Sequence, residues 1–141
     1  MADIVVVDTS VFVAALKSPD GAARQVLRLC LSGQLTPIMG QKLFLEFLDV
    51  FGRPGLFDSS PAPHADREAL LAGLLAASRW ISIFFLWRPN LPDEGDNHVL
   101  ELAIAGSAAV VITHNVSHFR GELRFPGLQI LTPGQFLRLK R

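Results

Sequence analysis

An unbroken run of β-branched residues, Ile4-Val5-Val6-Val7, stops at the carboxylate of Asp8. A strand with one wet face alternates apolar and polar residues. An uninterrupted run instead marks a strand buried on both faces, and so a parallel sheet covered by helices on each side. Parallel strands need crossover connections, so the rest of the chain should alternate helices with strands.

It does. Thr9 and Ser10 offer N-caps for a helix over about 9–16, and Ser18-Pro19-Asp20-Gly21 breaks it. From 22 to 31, Val26, Leu27, Cys30 and Leu31 form one apolar stripe with Arg24, Arg28 and Ser32 off it, which predicts an amphipathic helix ending at Gly33. A short strand over 35–39 contains Pro37, which suits an edge or irregular strand. Helices are expected over 41–51 and 66–80, a strand over 81–86, a helix over 94–105, a buried strand over 109–113 and a last strand over 128–131. Thr132-Pro133 starts a C-terminal helix, with Thr as N-cap and Pro in the first turn. The expected fold is an α/β/α three-layer sandwich around a mainly parallel central sheet, formed as one domain over 1–141.

Composition narrows the function. Half of the 141 residues are hydrophobic and 18% are charged, the opposite of a disordered chain. Thirteen basic residues balance 13 acidic ones, so any basic patch for nucleic acid must be local. Cys30 is the only cysteine and cannot close an intramolecular disulfide, which fits a reducing cytoplasm. No apolar run has the length of a membrane span.

In open α/β sheets ligands bind beyond the carboxyl ends of the strands. Two polar clusters fall there, Asp8-Thr9-Ser10 and Thr113-His114-Asn115. Asp93 and Asp96 open the helix before the 109–113 strand, and Glu46 lies inside the 41–51 helix. Converging carboxylates make an oxygen-ligand site for hard Mg²⁺ or Mn²⁺. Blander roles compete. Thr9 and Ser10 suit helix caps, Glu46 could pair with Lys42 one turn away, Asp49 competes for an acidic role, and Asp93, Glu94 and Asp96 suit a helix N-terminus. His64, His98, His114 and His118 have no zinc spacing and read as surface or supporting residues.

These residues carry a family resemblance. Ile4-Val5-Val6-Val7-Asp8-Thr9-Ser10-Val11-Phe12 resembles the opening motif of PIN-domain ribonucleases, and Glu46 matches their second, mid-chain helical acid. The stretch from Asp93 through Asp96 to Ala103 resembles the third motif. The strand that runs into Thr113-His114-Asn115, followed by Phe119, resembles the fourth. The resemblance runs from residue 3 to about 139, and the subgroup it is most similar to is the bacterial VapC-like toxins of toxin–antitoxin pairs. It implies a PIN-like fold and a metal-dependent endoribonuclease. Asp8, Glu46 and Asp96 would hold Mg²⁺, a metal-bound water would attack the phosphodiester, Asp93 would be an outer ligand and Thr113 would fix the strand end. The family commonly has Asp where this chain has Asn115, although related sequences carry Asn. An amide ligates through its carbonyl oxygen but adds no charge, which points to a one-metal site.

A haloacid-dehalogenase-like phosphatase would want a second Asp where Ser10 stands, and a receiver domain would want an acidic pair and a late Lys that are missing. The alternative that remains is a catalytically weakened PIN-fold binding module. The expected partners are an RNA substrate, a small antitoxin and further copies of the chain in a homodimer or higher oligomer. With the four site acids set aside, nine acidic residues face 13 basic ones, and Arg24, Arg28, Arg53, Arg88, Arg120 and Arg124 are candidates for RNA contact. Phe44, Phe47, Phe51, Leu56 and Phe57 could line an apolar groove for the antitoxin, or could simply be core.

Overall fold

The computed structural model describes residues 3–57, 60–61, 63–82, 97–119 and 127–140. Among them the elements run β1 (Asp3–Val7), α1 (Thr9–Lys17), α2 (Ala22–Leu31), β2 (Leu35–Met39), α3 (Gln41–Phe51), α4 (His64–Ala77), β3 (Arg79–Trp80), α5 (Asn97–Ala105), β4 (Val110–Ile112), a 3-10 turn (Val116–Phe119), β5 (Gln129–Leu131) and α6 (Pro133–Lys140). The five strands form one sheet in the order β3-β2-β1-β4-β5, and every neighbouring pair is parallel. The run that ends at Val7 lies at its centre. Val5 and Val6 are fully buried, as an all-parallel sheet covered on both faces requires.

The chain steps from β1 to β2 to β3 in one direction, then returns past β1 to reach β4 and β5. The strand order therefore reverses between β1 and β4, the crevice where such sheets bind ligands. Right-handed crossovers put the helices of the outward and return steps on opposite faces. Accordingly α2 and α4 pack together beside β2, while α5 crosses β1, β2 and β4. Val11, Phe12, Leu16, Val26, Leu27, Leu43, Phe47 and Leu74 fill the interior, with Phe12 and Phe47 meeting edge to face at 5.5 Å.

Local chemistry accounts for the element ends. α2 closes in a Schellman arrangement: Gly33 N–H donates to Cys30 C=O, Gln34 N–H donates to Leu29 C=O, and Gly33 takes φ +83°. α6 opens with a capping box, Gln135 N–H donating to Thr132 Oγ1 while Thr132 N–H donates to Gln135 Oε1.

Four local expectations change. Thr9 and Ser10 do not cap α1; Asp8 holds the N-cap position and both hydroxyls bond elsewhere. β2 is not an edge strand, since β3 lies outside it. Pro37 is tolerated because residues of its parity turn toward β3, as Met39 C=O does to Ile81 N–H, and β3 pairs only with Ile38 and Met39. The 66–80 helix stops at Ala77: Ser78 turns extended, its hydroxyl donates to Leu74 C=O, and Arg79 and Trp80 join the sheet. Of the strand expected over 81–86, residues 81 and 82 follow β3 without belonging to it, and 83–86 lie outside the described residues, as do 94–96 of the next helix.

Candidate functional site

The sheet brings the ends of β1 and β4 side by side. Asp8 N–H donates to Ile112 C=O at 3.0 Å, so pairing continues to the residue that carries the carboxylate. Asp8 is only 3% exposed. Its Oδ2 accepts two hydroxyl hydrogens, from Ser10 Oγ at 2.9 Å and from Thr113 Oγ1 at 2.8 Å. Those hydroxyls accept in turn, Ser10 Oγ from His114 N–H and Thr113 Oγ1 from Asn115 N–H, each at 3.0 Å. With one hydrogen apiece committed to Asp8, the hydroxyls approach each other to 3.3 Å. A buried carboxylate must have its charge offset by hydrogen bonds, and here both fall on one oxygen. Oδ1 takes neither hydroxyl, which makes it the oxygen a cation could use.

Glu46 projects from the middle of α3 toward the same strand end. Thr9 Oγ1–H donates to Glu46 Oε1 at 2.7 Å, and His98 Nε2 lies 2.7 Å from Oε2. Burial pushes the Glu46 carboxyl up, but the hydrogen bonds from His98 and Thr9 and the positive charges of His98 and Arg53 outweigh it and hold the group below its ordinary 4.5. Glu46 is therefore ionised at neutral pH. Lys42 is not its partner, and Asp49 turns outward to Arg53 at 2.8 Å.

Asp93 and Asp96 lie outside the described residues; α5 begins at the residue after Asp96. Asn115 is exposed, and its backbone ties it to Thr113 and, through its carbonyl, to His118 N–H. Among the described residues no group of three His, Cys, Asp or Glu side chains could hold a metal ion. They do provide two carboxylates: Asp8, with Oδ2 held by two hydroxyls, and Glu46, held charged and bonded by Thr9, the residue after Asp8. Hard oxygen donors of this kind fit a divalent cation.

Of the expected site residues, the structure brings together Asp8, Thr9, Ser10, Glu46 and Thr113. One more participates in a way the sequence did not specify. His98 positions Glu46. Glu101, 3% exposed inside α5, has Oε1 buried without a hydrogen-bond partner among the described residues. The signal for Glu101 was present, since it interrupts the otherwise apolar Val99-Leu100-Leu102-Ala103. Of the residues expected either to line an apolar groove or to be core, Phe47 and Phe57 are core, Phe44, Phe51 and Leu56 are partly buried against it, and Phe51 packs on Phe57 at 6.3 Å. Of the candidate RNA-binding arginines, Arg53 pairs with Asp49 and Arg28 donates to Pro19 C=O and Gln25 Oε1. Arg88, Arg120 and Arg124 lie outside the described residues.

An all-parallel α/β sandwich with carboxylates at the switch point of its sheet defines a class of cation-assisted sites. Residues 4–117 match the PIN domain family model, and the chain belongs to that family. PIN domains are typically nuclease domains that use divalent metals and bind RNA or DNA. The match covers the Asp8, Glu46, Asp96 and Thr113 motifs and ends before β5 and α6. No curated protein matches the sequence. No helix among the described residues is long and apolar enough to cross a membrane.

Proposed function

We propose that this chain is a metal-dependent endoribonuclease and the toxin of a toxin–antitoxin pair. The observation that carries the reading is the buried Asp8, whose Oδ2 is held by Ser10 and Thr113 while Oδ1 is left to a cation. Asp8, Glu46 and Asp96 would hold Mg²⁺ or Mn²⁺, with Asp93 outside them and Asn115 contributing a neutral carbonyl oxygen. When bound, the ion would lower the pKa of a water and polarise the phosphodiester. The chain's own part is positioning. Ser10 and Thr113 orient Asp8, and Thr9 and His98 orient Glu46 and keep it charged.

Purified protein should cleave RNA with Mg²⁺ or Mn²⁺ and stop when EDTA is added. Asp8→Asn should lower the rate by at least about a hundredfold, since a metal-assisted step contributes several kcal/mol. The Asn side chain can keep its carbonyl toward the two hydroxyls, which places an NH₂ donor where the cation needs an acceptor, so the fold survives. Equal cleavage by parent and variant would defeat the acidic-site reading. RNA binding without cleavage by either would favour the weakened binding module. For the toxin role, expression alone should slow growth and the product of the adjacent gene should relieve it; harmless expression of soluble, RNA-cleaving protein would remove that part.

A further inference from the structure

A cavity of about 370 Å³ opens beside the acidic site, between α3, β3 and α5. Its described walls are largely apolar, with Phe44, Trp80, Ile81 and Leu102 among them. Phe44 and Trp80 meet edge to face at 5.4 Å, and Trp80 is 51% exposed, which leaves about half of its indole surface open to solvent. Two of the cavity's polar side chains carry buried atoms without hydrogen-bond partners among the described residues. Glu101 has its buried Oε1 unpartnered among the described residues, and so does His98 at Nδ1. His98 Nε2 is the group that bonds Glu46, so one imidazole is shared between the cavity and the acidic site. Lys42 is exposed, lines the same cavity and makes no ion pair among the described residues.

An unpaired buried carboxylate costs free energy that a ligand able to donate to it recovers. The surroundings specify the donor. Flat aromatic walls take a planar ring, and bases splayed out of single strands are recognised by stacking and by their hydrogen-bonding edges. A carboxylate only accepts. Guanine presents N1–H and the N2 amino group side by side, two donors for one carboxylate. Adenine and cytosine each place an acceptor next to their amino group, and uracil flanks its single N–H with carbonyls. Lys42 supplies a cation for the attached phosphate.

We infer that this cavity is a guanine-binding subsite in which Glu101 reads the base edge, Phe44 and Trp80 hold the ring, and Lys42 takes the phosphate. This rests on the ribonuclease reading for its role, because it would set which nucleotide lies next to the scissile bond. It does not rest on that reading for binding, which needs no metal and no cleavage.

Isothermal titration calorimetry of the whole chain in EDTA tests the binding. GMP should bind at least about tenfold tighter than AMP, CMP or UMP, as a polar pocket discriminates against a ligand that leaves its groups unpaired. Glu101→Gln keeps the side-chain volume and should abolish the preference. Trp80→Ala, at an exposed wall where folding is not at stake, should weaken GMP by about tenfold through lost stacking. Cleavage of a randomised RNA should then show guanine enriched at one position beside the cut, and the enrichment should vanish in Glu101→Gln. Equal affinity for the four nucleotides, or a preference for AMP or CMP, overturns the inference. So does metal-dependent cleavage whose base preference is absent or survives Glu101→Gln, and in that case the nuclease reading stands. Selective GMP binding by a protein that cleaves no RNA keeps the subsite and overturns the nuclease reading instead.

Discussion

At the residue scale the site is a matter of which oxygen receives which hydrogen. Thr113 is fully buried, donates to Asp8 Oδ2 and accepts from Asn115 N–H. Thr113→Val keeps the shape and removes both bonds from a buried carboxylate's surroundings. A loss of roughly 1–3 kcal/mol is expected, the usual penalty for an unsatisfied buried polar group, and urea unfolding measures it. His98 offers a test with a defined sign. The Glu46 carboxyl is held below 4.5 in the folded protein. Its contribution to stability is therefore complete above 4.5 and is lost as the pH falls through the lower folded value. In metal-free His98→Ala the carboxyl moves back up, so stability should fall less steeply than in the parent as the pH drops through and below 4.5. Parallel pH profiles would show that His98 does not hold Glu46 charged. Asp8 and Glu46 could be picked out as residues from a strand end and a helix position. The direction of their hydrogen bonds could not, because Ser10 and Thr113 stand 103 positions apart in the chain and meet only across the β1–β4 pair.

At the scale of elements, packing between α5 and the sheet brings His98 within reach of Glu46. Gly106, just past α5, sits so close to β2 that an added Cβ would collide with Ile38 Cδ1, with Ile81 Cγ1 at 3.3 Å. Gly106→Ala should cost about 1–3 kcal/mol, the range for overpacking a filled interior, and should lower the melting temperature. Gly33→Ala makes a useful contrast: its added Cβ meets nothing within 4 Å, and its penalty comes from the positive φ alone. An unaltered melting temperature in Gly106→Ala would mean that α5 stands further from the sheet. Most helices were legible because their apolar stripes and terminal residues agree, as the Schellman end of α2 and the capping box of α6 illustrate. The boundary between α4 and β3 was not. Residues 66–80 read as one helix, and the competing partner that draws Arg79 and Trp80 into the sheet is the far end of β2, about 40 residues earlier.

At the scale of the whole molecule, a chain with no net charge gathers acids at one end of its sheet. A cation bound between acids that only the fold brings together would couple its binding to folding. Asn115→Asp would add a negative charge at the end of β4. Without metal it should lower the melting temperature by charge crowding. With Mg²⁺ it should produce a larger rise in melting temperature than the parent shows, since a ligand that binds only the folded state stabilises according to its affinity. Thermal unfolding over a Mg²⁺ titration separates the cases. An unchanged response would leave Asn115 with the backbone role seen in its bond to His118 and remove it from the ion's reach.

The sequence by itself determined the layered α/β plan. The Ile4–Val7 run needs cover on both faces, and the alternation of amphipathic helices with short strands leaves a parallel sheet as the way to provide it. It also determined that Asp8 would stand at a strand end, since a carboxylate cannot continue into a buried strand without a partner. Tertiary structure decided the rest. It chose the strand order that sets β4 against β1 and so gives Asp8 its two hydroxyls. It turned Thr9 away from capping and toward Glu46, and it set Glu101 in the wall of the Phe44–Trp80 cavity, a placement that its interruption of an apolar run could not give. Those outcomes depend on pairings between residues far apart in the chain, and hydrophobic periodicity carries no information about which distant partner a polar group will meet.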